Sequence, residues 1–207
     1  MAKIIQIHPE TPQSRNVKMA VEALRNGDCA VLPTDSGYAL ACTLENKEAR
    51  EKILSIRNID KNHNFTLLCS DLSSLSLYSR VDNTTFRLIK NNTPGPYTFI
   101  LKATKELPRK LMNEKRKTIG LRVPGNPIMQ AILKDLNEPL MSVSLILPNK
   151  DVAENDPYEI DDEIGKRVDL IVDGGYLVEQ PTTVIEITEE GGVNILRVGS
   201  GDTKPFE

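Results

Sequence analysis

Apolar positions recur at helical spacing in several stretches of the chain. Over 13–26 they fall at Val17, Ala20, Val21 and Leu24, and Gly27 supplies a stop. Over 47–58 the stripe is Ala49, Ile53, Leu54 and Arg57. Over 82–92, Asp82 stands at the N-cap position ahead of Phe86, Leu88 and Ile89. Asn126 is placed to cap a helix that begins at Pro127 and carries Ile128, Met129, Ile132, Leu133 and Leu136. A last helix is expected over 157–167. Between these lie short apolar runs that predict strands over 29–32, 65–69, 97–103, 118–123, 140–147 and 169–172, the last ending at Gly174-Gly175. Strands over 182–187 and 193–198 close the chain, joined by a turn at 189–192.

The alternation of helices and short strands, with no linker and no internal repeat, predicts one α/β domain over 1–207. The last two strands are close enough in sequence to pair antiparallel. That predicts a mixed sheet rather than a purely parallel one. With 39% hydrophobic and 27% charged residues, the chain can bury a sizeable core. No apolar run approaches the roughly 18–20 residues of a membrane span. Residues 1–10 contain Lys3, His8 and Pro9 and lack the apolar core of a signal peptide. The expectation is a cytoplasmic protein with no membrane partner. Cys29, Cys42 and Cys69 are odd in number and show no CxxC spacing, which favours buried reduced thiols over disulfides or zinc.

The net charge of −3 conceals an asymmetry. Between Lys102 and Arg122 eight basic residues face only Glu106 and Glu114, a net +6. Between Asp151 and Glu163 there are seven acids and no base. The basic segment, with Arg109, Lys110, Lys115, Arg116 and Lys117 at its centre, is a candidate RNA contact; the alternative is a solvated loop. It has few aromatics for base stacking. An RNA partner would therefore be bound through shape and phosphates, as double-stranded RNA or tRNA is.

Four segments put polar groups at strand ends or within apolar strands. An apolar run from Ala30 to Leu32 leads into Pro33-Thr34-Asp35-Ser36-Gly37-Tyr38, which reads as a tight loop presenting hydroxyls, a carboxylate and free N–H groups. Pro94-Gly95-Pro96 stiffens the start of a strand. Arg122 lies in a strand of Ile, Leu and Val, where a guanidinium needs an anionic ligand or a salt-bridge partner. Ser142 and Ser144 share one face of another strand and either meet a ligand or bond the backbone. There is no GxGxxG and no Walker loop, so any nucleotide is held by other means. Asp35, His63 and Ser144 do not form a hydrolase triad, because Ser144 sits inside a strand rather than on a nucleophile elbow. His8 and His63 are too few for a metal site, so none is expected. No catalytic side chain stands out.

These segments together resemble the YrdC/YciO family, whose members include threonylcarbamoyl-adenylate synthases of tRNA modification. The matching motifs are Pro33-Thr34-Asp35-Ser36-Gly37-Tyr38-Ala39-Leu40, Pro94-Gly95-Pro96-Tyr97-Thr98, Arg122-Val123-Pro124, Ser142-Val143-Ser144, Thr182-Thr183-Val184 and Arg197-Val198-Gly199. His63-Asn64-Phe65-Thr66 and Asn91-Asn92-Thr93-Pro94-Gly95 look most like the YciO branch. The resemblance implies a twisted mixed sheet flanked by helices, with a concave basic cavity. It also implies a reaction in which threonine and bicarbonate give an N-carboxy amino acid, whose carboxylate attacks the α-phosphate of ATP and expels pyrophosphate. ATP is then a substrate, with Mg2+ as its candidate companion. By position, Thr34, Arg122 and Ser142 would face the amino acid, Arg57, Thr118, Ser144 and Arg197 the nucleotide, and Thr182 would close the pocket. The chain departs from the synthase pattern at Ile59 and Ile146, where an Arg and an Asn are usual, and at Leu68, where a His is usual. The expectation is a nucleotide- and RNA-binding protein with weak or diverged synthase activity, or alternatively a non-catalytic RNA-binding protein.

Overall fold

A computed structural model describes residues 1–207. The elements are β1 (Lys3–Gln6), α1 (Ser14–Arg25), β2 (Ala30–Thr34), β3 (Gly37–Thr43), α2 (Lys47–Arg57), β4 (Thr66–Leu68), α3 (Leu75–Tyr78), β5 (Ser79–Arg80), α4 (Asn83–Asn91), β6 (Tyr97–Ala103), β7 (Thr118–Arg122), α5 (Pro127–Leu136), β8 (Leu140–Ser144), α6 (Pro157–Ile164), β9 (Leu170–Asp173), β10 (Thr183–Ile187) and β11 (Val193–Arg197). The strands form one sheet in the order β1-β9-β2-β3-β8-β4-β7-β6-β10-β11, with β5 beside β6. Pairs β1–β9, β2–β9, β4–β7 and β6–β10 are parallel and the rest antiparallel. The mixed α/β sheet read from the sequence is the sheet found. No helix is long and apolar enough to cross a membrane.

The helix signals act where they were read. Asp82 accepts from the Thr85 N–H and Asn126 from those of Ile128 and Met129. Gly27 takes a φ of +99° just past the end of α1. The segment expected as a ligand-presenting loop is mostly strand. β2 and β3 pair from Ala30–Ala41 to Thr34–Gly37, leaving a two-residue turn at Asp35-Ser36, and Gly37 follows it at φ +91°. β3 escaped because its residues are buried on both faces and give no alternation. Edge strand β1 and the short α3 and β5 also lacked a periodic signal. β8 stops at Ser144 rather than 147: beyond it the Ile146 N–H folds back onto the Ser144 carbonyl. The last helix stops at Ile164, capped by Gly165.

Cross-strand register sorts the side chains onto two faces. One face, with Val31, Leu40, Leu67, Leu121, Met141 and Ile185, is covered along its length by α2, α6 and neighbouring segments in a single apolar cluster. The other face is covered over only half its width. There Ala30, Leu32, Ala41, Leu68 and Leu140 pack beneath α1 and α5. Over β7, β6 and β10, and over β4 up to Thr66, no helix residue packs on this second face. The polar strand residues of the matching motifs fall on that bare half or at its border.

Candidate functional site

The open half-face is built by register. Ser144 lies opposite Ala39, and Ser142 lies between Ala41 and Thr66. Thr66 faces Gly120, Leu68 faces Arg122, Gly120 faces Ile100 and Thr118 faces Lys102. Thr98, two residues before Ile100, points the same way. Small and hydroxylated side chains therefore line a hollow that helices leave bare. One cleft on it, about 400 Å³, is lined by Thr66, Thr118, Gly120 and Arg116 together with apolar residues that include Ile100 and Val184.

Arg122 is the central charge. Its side chain is 6% exposed, and its Nη2 donates to Asp35 Oδ1 at 2.6 Å. The other Asp35 oxygen accepts the Gly125 N–H at 2.9 Å. The turn between β2 and β3 thus delivers a carboxylate to the end of β7. Arg122 Nε is buried and has no partner. Burial lowers the Arg122 pKa, Asp35 pulls it back up, and the nearby Arg197 cation lowers it further. The salt-bridge alternative for Arg122 is therefore present in the fold, and one edge of the fork is left over.

Arg197 and Thr182 form a second group. Arg197 donates through Nε and Nη2 to the Thr182 carbonyl at 3.0 and 2.8 Å, and through Nη2 to Thr182 Oγ1 at 3.0 Å. Thr182 Oγ1 in turn shares a 2.7 Å hydrogen bond with Thr98 Oγ1. Gly199 lets this happen. A Cβ there would stand 2.3 Å from the Pro181 carbonyl oxygen, so only glycine brings the chain past Thr182. Arg57 arrives from α2, on the opposite side of the sheet, and its Nη1 donates to the Ser144 carbonyl around the sheet end. Its Nε is buried without a partner, and burial lowers its pKa. His63 lies close enough to feel the Arg57 charge. Burial first and that charge second lower its pKa from the usual 6.5.

The hydroxyls expected to meet a ligand are partly engaged. Thr34 Oγ1 donates to the Gly37 carbonyl at 2.6 Å and accepts from the Ser36 N–H at 3.0 Å, which locks the turn. Ser142 Oγ donates to the Thr66 carbonyl at 3.2 Å. The structure brings Ser142, Ser144, Thr118 and Arg122 onto one face, with Thr34 at its border and Thr182 and Arg197 on its far side. Sequence reasoning missed Asp35 as the partner of Arg122, and also Thr66 and Thr98. The hydroxyl-rich motif Pro96-Tyr97-Thr98 was the available signal for Thr98. No group of three or more His, Cys, Asp or Glu side chains converges anywhere in the chain.

Ile59 and Ile146 are not equivalent. Ile59 packs against the large apolar cluster on the covered face. Ile146 belongs to neither cluster and is half-buried just beyond Ser144. The basic segment also divides. Arg116 reaches Glu186 at 3.6 Å beside the open cleft, Lys110 and Lys115 line a separate cleft with His63, and Lys117 lines a third.

Residues 22–199 match the family Sua5_yciO_yrdC, described as Telomere recombination. The chain is 58% identical over 206 residues to YciO of Escherichia coli K12, covering all of both proteins. The crystal structure of E. coli YciO superposes with a TM-score of 0.94 over all of both chains, at 57% identity. The threonylcarbamoyl-AMP synthase of Vibrio vulnificus YJ016 is 25% identical over 162 residues, 77% of this chain and 86% of that one. P. abyssi Sua5 complexed with L-threonine has the same fold, with a TM-score of 0.85 at 20% identity over 96% of this chain and 58% of that one. The chain therefore belongs to the Sua5/YciO/YrdC family, as a distant relative of its threonylcarbamoyl-AMP synthases.

Proposed function

We propose that the open half-face binds a nucleotide and an amino acid, and that the chain is a diverged L-threonylcarbamoyladenylate synthase of low turnover. The observation that carries this reading is Arg122, a buried guanidinium with an unused Nε at the head of a hydroxyl-lined hollow. Its free edge suits the carboxylate of an amino acid, with Ser142 and Thr34 beside it and Thr182 across from it. Ser144, Thr118, Arg57 and Arg197 are left for the nucleotide. The threonine amine attacks the carbon of bicarbonate and a water molecule leaves, giving a carbamate; a carbamate oxygen then attacks the α-phosphorus of ATP, and the bond from that phosphorus to the bridging oxygen breaks as pyrophosphate departs. Charge that develops on the phosphates would rest on Arg57 and Arg197. A Mg2+ ion would arrive on the ATP phosphates, since this face offers no cluster of carboxylates. At Ile146 a phosphate or carboxylate finds no hydrogen bond, which is why turnover should be low.

The test is differential melting with ATP, L-threonine and both together, followed by pyrophosphate release with bicarbonate. The expected result is a rise in melting temperature with ligand and slow pyrophosphate release that needs threonine. No shift with any of them overturns the reading. A second reading, RNA binding without catalysis, is favoured by the concentration of cations around residues 102–117 in a chain of net charge −3.

A further inference from the structure

Cations that are neighbours in sequence divide here between two adjoining clefts, which share Arg109, Met112 and Glu114 on their common rim. Lys110 and Lys115 line one of them, whereas Lys117 lines the other, a cleft of about 890 Å³, with Arg80, Lys102, Lys105 and Arg109. Five cations there meet a single acid on the lining, Glu114. Glu189 reaches Arg80 at 3.7 Å and Lys102 at 3.9 Å. None of the ion pairs of the chain includes Lys105, Arg109 or Lys117.

The loop that carries Lys117 is built rather than free. Asn113 Oδ1 accepts the Lys115 and Arg116 N–H groups at 3.1 and 2.9 Å, and the Lys117 N–H donates to the Asn113 carbonyl at 2.8 Å. Lys117 sits at φ +58°, a backbone state that costs a lysine free energy and that the loop enforces. The result turns consecutive cations toward different clefts.

The chemistry of the cleft points to a polyanion. Its charges are spread, mostly exposed and unpaired, so they act through a screened field and counterion release. No aromatic ring lines it, so bases would find nothing to stack on. It is also wider than a single phosphate needs. Lys102 lies directly across from Thr118, which borders the 400 Å³ cleft on the open half-face. The two surfaces therefore meet at one cross-strand pair, about 5 Å wide.

We propose that this cleft is the backbone-binding site for a structured RNA, with the phosphates of one strand over Lys105, Arg109 and Lys117 and with Arg80 and Lys102 flanking them. The proposal rests on the RNA-binding reading above. It replaces the contiguous basic stripe by a surface assembled from β5, β6 and the loop before β7.

Two charge-matched variants separate the possibilities. Lys105→Glu with Lys117→Glu reverses the cleft, and Lys110→Glu with Lys115→Glu reverses the other side of the loop. Binding of a labelled RNA duplex of about 16 base pairs is followed by anisotropy across a salt series. The cleft pair should lower affinity about tenfold or more and reduce the log–log salt slope by about 1.5, two phosphate contacts at roughly 0.7–0.9 each. The other pair should cost less than about threefold. A larger loss from the second pair, or an unchanged slope in the first, overturns the assignment while leaving RNA binding in place. A wild-type chain that does not bind the duplex at all removes the RNA reading and the proposal with it. Melting curves check that the variants fold, and the milder Lys105→Gln with Lys117→Gln should keep the same order of effect.

Discussion

Removing the Asp35 carboxylate isolates the state of Arg122. In Asp35→Ala the guanidinium loses its only side-chain partner, the 2.6 Å bond from Nη2, and its Nε is already unpartnered. A buried charge stripped of its counter-charge costs about 3–5 kcal/mol. The Asp35 side chain is 18% exposed, so water can reach part of the gap and the lower end applies. A loss of about 3 kcal/mol in a chain of this length lowers the melting temperature by about 6–12 °C. An anion that enters the site would restore the missing counter-charge. Inorganic phosphate or L-threonine at matched concentration should therefore stabilise Asp35→Ala more than the wild type, where the ligand competes with Asp35. Removing both charges tests the same logic from the other side. Asp35→Ala combined with Arg122→Met should recover much of the lost stability, because no naked cation remains, and should abolish the extra response to anions seen in Asp35→Ala. Thermal melts with and without ligand read all of these outcomes. A loss below about 1 kcal/mol would mean that water already screens the pair. A double variant as unstable as Asp35→Ala alone would refute the idea that the bare guanidinium is the cost.

Ile146→Asn should raise pyrophosphate release from ATP, threonine and bicarbonate by about tenfold, one charge-assisted hydrogen bond regained, whereas Ile59→Arg should mainly destabilise, because Ile59 packs in the apolar cluster; no gain from Ile146→Asn sinks that reading of the position. The three cysteines are buried, and burial pushes Cys29 and Cys69 up to about 12 and Cys42 higher still, so Ellman's reagent at about pH 8 should label none quickly in the native chain and three after denaturation. His63 binds its proton more weakly folded than unfolded, so stability should rise with pH through the window from its lowered folded pKa up to 6.5 and level off above it. His63→Gln should flatten that rise in urea titrations across the window, and an unchanged slope would assign it to other groups.

Much of the fold was legible because its signals are local. Caps at Asp82 and Asn126 and the stop at Gly27 need only a few neighbouring residues to act. Strands buried on one face alternate, and strands flanked by turn residues stand out. β3 failed for a physical reason. With both faces covered, Gly37–Thr43 carries apolar or small residues throughout, and its hydroxyl-and-glycine approach looked like a loop. The site divided in the same way. Ser142 and Ser144 could be put on one face from period alone. The pairing of Arg122 with Asp35 could not be read, because it joins residues 87 positions apart.

The spatial division of the basic segment shows what sequence order hides. Charges adjacent in the chain add in a sequence count, and that count gave +6 over 102–122. In the fold one of them, Arg122, is spent inside against Asp35, and Arg116 leans on Glu186. Lys117 is turned from its neighbours by a left-handed backbone. What remains for a polyanion is a cleft completed by Arg80, which lies outside that count altogether. The hydroxyl-lined hollow follows the opposite logic. Its members come from β4, β6, β7 and β8, each contributing one or two residues too ordinary to notice alone. They become a site because α1 and α5 end their cover at Leu68 and Leu140. The next strand positions on that face, Thr66 and Ser142, carry oxygen where a covered sheet would carry leucine. A face left bare by its helices and polar only where it is bare is the pattern expected of a surface kept for a ligand.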